Sequence, residues 1–313
     1  MLNCGMPTVG VMAAGTMGPV ESFKAGLSER GFVERQNIRF KLRAADGDLD
    51  RLPAMATELV QSNVDLIAVI GAVTARAAQA ATTDIPIVYA VVVDPVSEGL
   101  ATCSGNPLYH MTGVTTFDPN QARTHVQLLQ SVMPGLARIA VLGDRGVSDC
   151  LSVANARAIA DLGLRPQVLR IDGPRPDFEG AFAAMGREQA EALIVLEQPI
   201  NGVQRARLME LAMTHRLPSI FPMGQAETGG LFCYGTGLQR AAHRMARTVK
   251  KILDGGRPCD LPIETLSRHE LVVNLSVARK LGLTVPPNIS ARASQVIDVD
   301  SRLVAHTAGW GNS

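Results

Sequence analysis

The feature that most constrains this chain is a repeat at long range. Four segments of its first half lie over four of its second half. TVGVMAAGT (8–16) matches RIAVLGDRG (138–146), and SERGFVERQNIRF (28–40) matches ADLGLRPQVLR (160–170). NVDLIAVIGA (63–72) matches QAEALIVLEQ (189–198), and DIPIV (84–88) matches RLPSI (216–220). The offset stays near about 130 residues, which is the size of a lobe rather than of a solenoid repeat. With 313 residues, 46% of them hydrophobic, the chain has material for two such lobes with their own cores.

Within each copy short apolar runs alternate with helical segments. The first copy predicts strands over 8–13, 37–43, 65–70, 85–93 and 113–117, and helices over 20–30, 52–61 and 75–81. The second predicts strands over 138–142, 167–171, 192–196 and 217–221, with helices over 149–162, 177–189 and 203–215. Runs this continuously apolar belong to parallel sheets covered by helices on both faces. The expected class is α/β: two Rossmann-like, doubly wound lobes. Both lobes are used up by residue 221. The later segments (231–235, 241–253, 270–274, 276–281) are therefore expected to cross back over hinge strands. That assigns 1–117 plus about 236–266 to the first lobe and 118–235 plus about 267–298 to the second, with 299–313 as a tail.

In such sheets ligands sit beyond the carboxyl ends of the strands, and two facing lobes enclose a cleft. The segment IAVIGAVTARAA (67–78) reads as strand, tight turn and helix, the helix start pointing into that cleft. Its unpaired N–H groups and partial positive charge suit an anion. Thr74 stands where an N-cap hydroxyl belongs, after Gly71, Ala72 and Val73, although Gly-x-x-Thr is also a common plain cap. Gly15 and Thr16 occupy the loop after the first strand, so Thr16 offers a second hydroxyl for a carboxylate. Asp94 and Glu227 are candidates for an ammonium, or structural turn residues. Tyr89 is either core or a surface for a ligand side chain to pack on. In the second copy Glu197 and Gln198 stand at the mouth of their strand, and Gln225 and Glu227 form either a cleft loop or a surface turn. The site is thus expected to be asymmetric, the first lobe anchoring a carboxylate at Thr74 and the second reading the rest of the ligand.

Other classes find little support. Net charge is +1 with both signs scattered and aromatics are 4%, so no nucleic-acid partner is expected. No apolar run approaches the ~20 residues of a membrane span. The first residues lack the basic and apolar stretches of an intact signal peptide. Five well-separated cysteines without a CxxC resemble neither a zinc site nor a disulfide framework, and no cofactor or metal is expected. Neither HExxH, GxSxG, a Walker loop nor GxGxxG after the first strand is present. The alternative from another class is a cleft enzyme, a cofactor-free racemase or isomerase. It would need a reactive thiol from each lobe, but neither strand mouth carries a cysteine, and Cys150, near a second-lobe helix start, has no partner.

Several stretches carry a family resemblance: GFVERQNIRF, DGDLDRLPAMATELV, IAVIGAVTARAA, TTDIPIVYAVVVDPVSEGL, TGVT, LLQSVMPGLARIAVL, HRLPSIFPMGQAETGGLFCYG, VKKILDGGRPCDLPIE and ELVVNLSVARKLGLTVPP. They resemble the substrate-binding proteins of ABC transporters with the type I periplasmic-binding fold, related to tryptophan- and tyrosine-binding lipoproteins. The resemblance spans residues 8–297. It implies a small carboxylate ligand, an amino acid or organic acid, in the interlobe cleft. It also implies hinge closure, an ABC permease as partner, a monomer, and a place in the periplasm or outside the cytoplasm. By resemblance the helix start at 71–74 receives the ligand carboxylate, and Thr115 of the TGVT segment joins the first-lobe candidates. The 143–148 loop, with Asp144 and Arg145, lines the second lobe. Arg145 is there a carboxylate clamp or a solvated side chain.

Overall fold

Apolar runs too short to bury themselves become strands, and the amphipathic segments between them become the covering helices. The computed structural model describes residues 5–15, 17–102, 104–116, 118–173, 175–223, 230–266 and 269–298. In the first copy β1 (Thr8–Ala13), α1 (Gly18–Ser28), β2 (Arg39–Ala44), α2 (Leu52–Gln61), β3 (Leu66–Ile70), α3 (Ala72–Ala81), β4 (Ile87–Val92) and β5 (Met111–Thr115) follow in order. The second copy runs α4 (Gln121–Val132), β6 (Arg138–Asp144), α5 (Cys150–Asp161), β7 (Arg165–Ile171), α6 (Phe178–Arg187), β8 (Ala192–Val195), α7 (Pro199–Val203), α8 (Arg205–Thr214), β9 (Ser219–Phe221) and β10 (Phe232–Gly235). The last part supplies α9 (Leu238–Leu253), β11 (Glu264–Thr265), β12 (Glu270–Asn274), α10 (Leu275–Leu281), α11 (Pro287–Arg292) and β13 (Gln295–Ile297).

The strands form two sheets, ordered β11-β5-β4-β3-β1-β2 and β13-β12-β10-β9-β8-β6-β7. Position by position, β2-β1-β3-β4-β5 corresponds to β7-β6-β8-β9-β10, so the sequence repeat is a structural one. The first sheet is parallel throughout its described pairs. Every residue of β3 is buried, as a central strand covered on both faces requires. In the second sheet β12 runs antiparallel to β10, a departure from the all-parallel expectation.

Crossings between the two sheets give the molecule its joints. The chain passes from one sheet to the other after β5, after β10, and between β11 and β12. Between the last two crossings α9 packs on α1. Phe23 and Leu27 share a core with Ala241, Met245, Ala246 and Val249. The two helices meet closely at Gly26, where a Cβ would fall 2.6 Å from the His243 carbonyl oxygen. α4 and α7 were not anticipated as separate helices, and α3 begins three residues before the expected start.

Candidate functional site

The carboxyl ends of β1, β3, β6 and β8 converge on one cleft of about 580 Å³. Its first-lobe wall includes the small residues Ala13, Ala14, Gly15 and Ala72, with Ile70, Val73, Val91 and Val93. Its second-lobe wall includes Val147, Leu151, Glu197, Gln198, Pro199 and Val203. The lobes touch around it. Val147 packs on the first lobe's core beside Leu49. A Cβ on Gly146 would come 2.8 Å from Leu49 Cδ1, and the Cys150 thiol donates to Glu98 Oε1 at 3.6 Å. The conformation is therefore a closed one.

On the first-lobe side the helix start is fixed by Gly71, whose φ of 96° and ψ of 155° lie in a region suited to glycine. This turn sends the chain from β3 directly into α3. The first intrahelical bond runs from Ala75 N–H to the Gly71 carbonyl, at 3.1 Å. The N–H groups of Ala72, Val73 and Thr74 therefore lack intrahelical acceptors, and Ala72 and Val73 line the cleft. The donors come from the backbone, which makes the methyl side chains at 72 and 73 compatible with anion binding.

This corrects the expectation for Thr74. The N-cap is Gly71, and Thr74 lies in the first turn, fully buried. Its hydroxyl donates to the carbonyls of Ile70 and Gly71, the latter at 2.8 Å. The side chain ties the helix to the strand end and does not reach the cleft.

On the second-lobe side the turn after β8 is pinned from within. The Gln198 side-chain oxygen accepts from the Asp144 N–H. Asn201 Nδ2 donates to the carbonyls of Leu142 and Leu196, at 3.3 and 3.0 Å. Glu197 takes no part in this network: its Oε1 is buried with no hydrogen-bond partner among the described residues. Burial pushes its carboxyl up to about 7. The other cleft carboxylate, Glu98, is ion-paired with Arg76. Arg205 reaches the cleft from α8 without an ion-pair partner among the described residues.

Of the anticipated site residues, Gly15, Gly71, Ala72, Val73, Glu197 and Gln198 lie on the cleft wall. Others do not. Tyr89 is fully buried in the first lobe's core, where Gly113 makes room for its ring, and burial raises its hydroxyl's pKa. Thr115 is buried and its hydroxyl donates to the carbonyls of Val92 and Val93, at 2.7 and 3.0 Å. Asp144 is buried, with Oδ1 accepting the Gly146 N–H at 2.8 Å. Arg145 points outward, 62% exposed, to Asp172 at 3.3 Å, so the clamp is excluded in favour of the solvated alternative. Asp94 accepts the N–H groups of Val96 and Ser97, both at 3.1 Å, as a turn residue does. It borders a smaller cavity of about 270 Å³ behind the cleft, which Glu197, Cys150 and Leu151 separate from it. Thr16, Gln225 and Glu227 lie outside the described residues.

The sequence reading did not single out Glu98, Arg205 or Val91 at the cleft. The last sits in a bulge of β4 with a φ of 60°, strained for a β-branched residue, and contributes to the wall. A positive-φ valine leaves no signal in a plain apolar run. The cleft's one described cysteine, Cys150, has its pKa raised by burial foremost and faces Glu98 rather than a second thiol.

Comparison with known proteins supplies the context. The family of ABC transporter substrate-binding proteins matches residues 10–297. A tyrosine-binding protein of Clostridioides difficile (strain R20291) is 23% identical over 271 residues, covering 84% of this chain and 76% of the relative. A Streptococcus pneumoniae ABC domain crystallised in complex with L-Trp superimposes with a TM-score of 0.83 at 21% identity, over 93% of this chain and 99% of that one. A conserved domain protein of Vibrio cholerae gives a TM-score of 0.85 at 24% identity, over 93% of this chain and 100% of the other. At these identities the structures speak for the fold, which is the two-lobed fold of type I periplasmic-binding proteins.

Proposed function

The chain belongs to the family of ABC transporter substrate-binding proteins, and we propose that it captures an α-amino acid with an aromatic side chain for an importer. The observation that carries this reading is the set of backbone N–H groups at the start of α3, opening without intrahelical acceptors into a closed interlobe cleft. They provide a carboxylate seat. The cleft is within the size range of small-molecule sites. Its lining is mostly apolar, which suits a ring-bearing side chain. The ligands of two relatives, tyrosine and tryptophan, carry such side chains. Closure would then present one joined surface of two lobes to a permease, and the protein would work as a monomer outside the cytoplasm. No helix among the described residues is long and apolar enough to cross a membrane.

A cleft enzyme is the other reading, because a thiol and a carboxylate meet at Cys150 and Glu98. Burial of Cys150 opposes thiolate formation, the reverse of what a nucleophile needs. The deciding experiment is a thermal-shift screen of amino acids, aromatic acids and dicarboxylates, followed by recovery of the bound compound. L-tryptophan or L-tyrosine at about 100 times Kd should stabilise the fold by about 2.7 kcal/mol and be recovered unchanged. Racemised or otherwise converted ligand overturns the transport reading.

A further inference from the structure

Gly71 and Glu197 are equivalent residues of the two copies, the first directly after β3 and the second two residues after the corresponding β8. Both line the same cleft, from opposite lobes. One introduces a helix N-terminus with three N–H groups lacking intrahelical acceptors, a positive pole. The other is a carboxyl whose Oε1 is buried without a partner. We infer that Glu197 is the specificity-determining residue of the site, the group that reads a protonated ligand nitrogen and so selects amino acids over the corresponding plain carboxylic acids. This rests on the cleft being the carboxylate site proposed above.

Three observations support it. First, the turn holding Glu197 is fixed by Gln198 and Asn201, so Glu197 is not needed to hold its own loop. Second, no described residue forms a hydrogen bond or ion pair with Glu197 Oε1. The titratable and charged groups facing it are Glu98 and Asp94 from the first lobe, Cys150 from α5, Arg205 from α8, His125 from α4, Asp118 ahead of α4, and Tyr234 from β10. Arg76 holds Glu98, Arg205 makes no described ion pair, and His125 stays neutral above about 4 through burial. A buried carboxyl left without a partner is costly, and a ligand cation removes that cost. Third, a zwitterion matches the cleft's polarity end to end. Its carboxylate meets the first lobe and its ammonium the second, so one small molecule ties both lobes and favours closure.

Protons report the same contact. Before binding, the Glu197 carboxyl is raised to about 7, so below that value it is largely neutral. An ammonium must ionise it. Affinity for an amino acid should therefore fall by up to about tenfold per pH unit below about 7, with a proton released on binding. A plain acid has no such requirement.

The test compares L-tryptophan with indole-3-propionate, and L-tyrosine with 3-(4-hydroxyphenyl)propionate, by calorimetry from pH 5.5 to 8 on wild type and Glu197→Gln. The expected result at pH 8 is a loss of about tenfold to a hundredfold for the amino acids in the variant, with the des-amino acids affected far less. The pH dependence should also flatten. Folding is checked separately by melting without ligand. A folded-state carboxyl raised above its ordinary 4.5 favours the fold at low pH, and this is lost as pH rises through about 7. The variant should therefore melt higher than wild type at pH 8 relative to their difference at pH 5. Equal losses for both ligand types, unchanged amino-acid affinity, or a variant keeping the wild-type pH profile overturns the inference. Wild type binding the des-amino acids as tightly as the amino acids overturns it while leaving the carboxylate site standing. Wild type that binds none of the four overturns both.

Discussion

Thr74 shows how a residue can be near a site and serve it only from below. Its hydroxyl is spent on two carbonyls at the β3–α3 junction. Thr74→Val should therefore cost about 1 kcal/mol of stability, the scale of a lost buried hydrogen bond. Urea unfolding measures this, and affinity for L-tryptophan should stay within about twofold, under 0.5 kcal/mol. A tenfold loss of affinity with unchanged stability would return the hydroxyl to the site. The sequence marked this position correctly as the mouth of a strand and misjudged its side chain. Spacing shows where a residue sits along the chain, but helix phase decides which way it points. The same limit applies to Arg145, directed to Asp172, and to Tyr89, packed over Gly113. Glu197 was easier to place, because a charged residue closing an apolar run must lie at a strand mouth.

At the scale of elements, the anchor is the first turn of α3 as the Gly71 backbone orients it. The available space would admit a side chain at 71, since a Cβ there meets only the Thr74 hydroxyl, at 3.5 Å. The backbone angles would not, because φ of 96° with ψ of 155° strains any other residue. Gly71→Ala should cost about 1–3 kcal/mol of stability, or relax by rotating the peptides that present the N–H groups of Ala72 and Val73. In the second case affinity for carboxylate ligands falls, amino acids and des-amino acids alike. Paired unfolding and calorimetry measurements separate the two outcomes, and a variant unchanged in both would show that the turn is not constrained. Elements of this kind were the most legible part of the chain, because β1, β3, β6 and β8 are apolar runs closed by turn residues. α4 was hidden because its polar majority (QARTHVQLLQSV) masks the stripe of Val126, Leu129 and Val132. α7 was hidden because its five residues, PINGV, carry turn formers.

At the scale of the molecule, the proposed function couples ligand binding to an equilibrium between separated and closed lobes, and the closed state has identifiable contacts. Leu49 against Gly146 and Val147, and Glu98 against Cys150, join residues more than fifty positions apart. No periodicity marks such contacts in the sequence, so the repeat revealed two lobes without revealing their closure. Gly146 offers a direct handle on it. Its backbone lies outside the positive-φ region, yet a Cβ there comes 2.8 Å from Leu49 Cδ1. An added methyl could be absorbed by turning Leu49, but a leucine could not. Gly146→Leu should therefore act as a wedge between the lobes, and because a Cβ there also comes 3.2 Å from Asp144 Oδ1, unfolding without ligand is measured alongside. If it disfavours closure by about 1–2 kcal/mol, ligand affinity falls about 5- to 30-fold, chiefly through faster release. Small-angle scattering should show a larger radius of gyration without ligand and a return toward the wild-type value at saturation. Gly135→Leu is the control, since nothing lies within 4 Å of a Cβ at that turn, and it should leave both measurements unchanged. A Gly146→Leu protein with wild-type affinity and dimensions would mean that the 49–146 contact does not oppose opening. The closed state would then rest on the ligand and on the other lobe contacts.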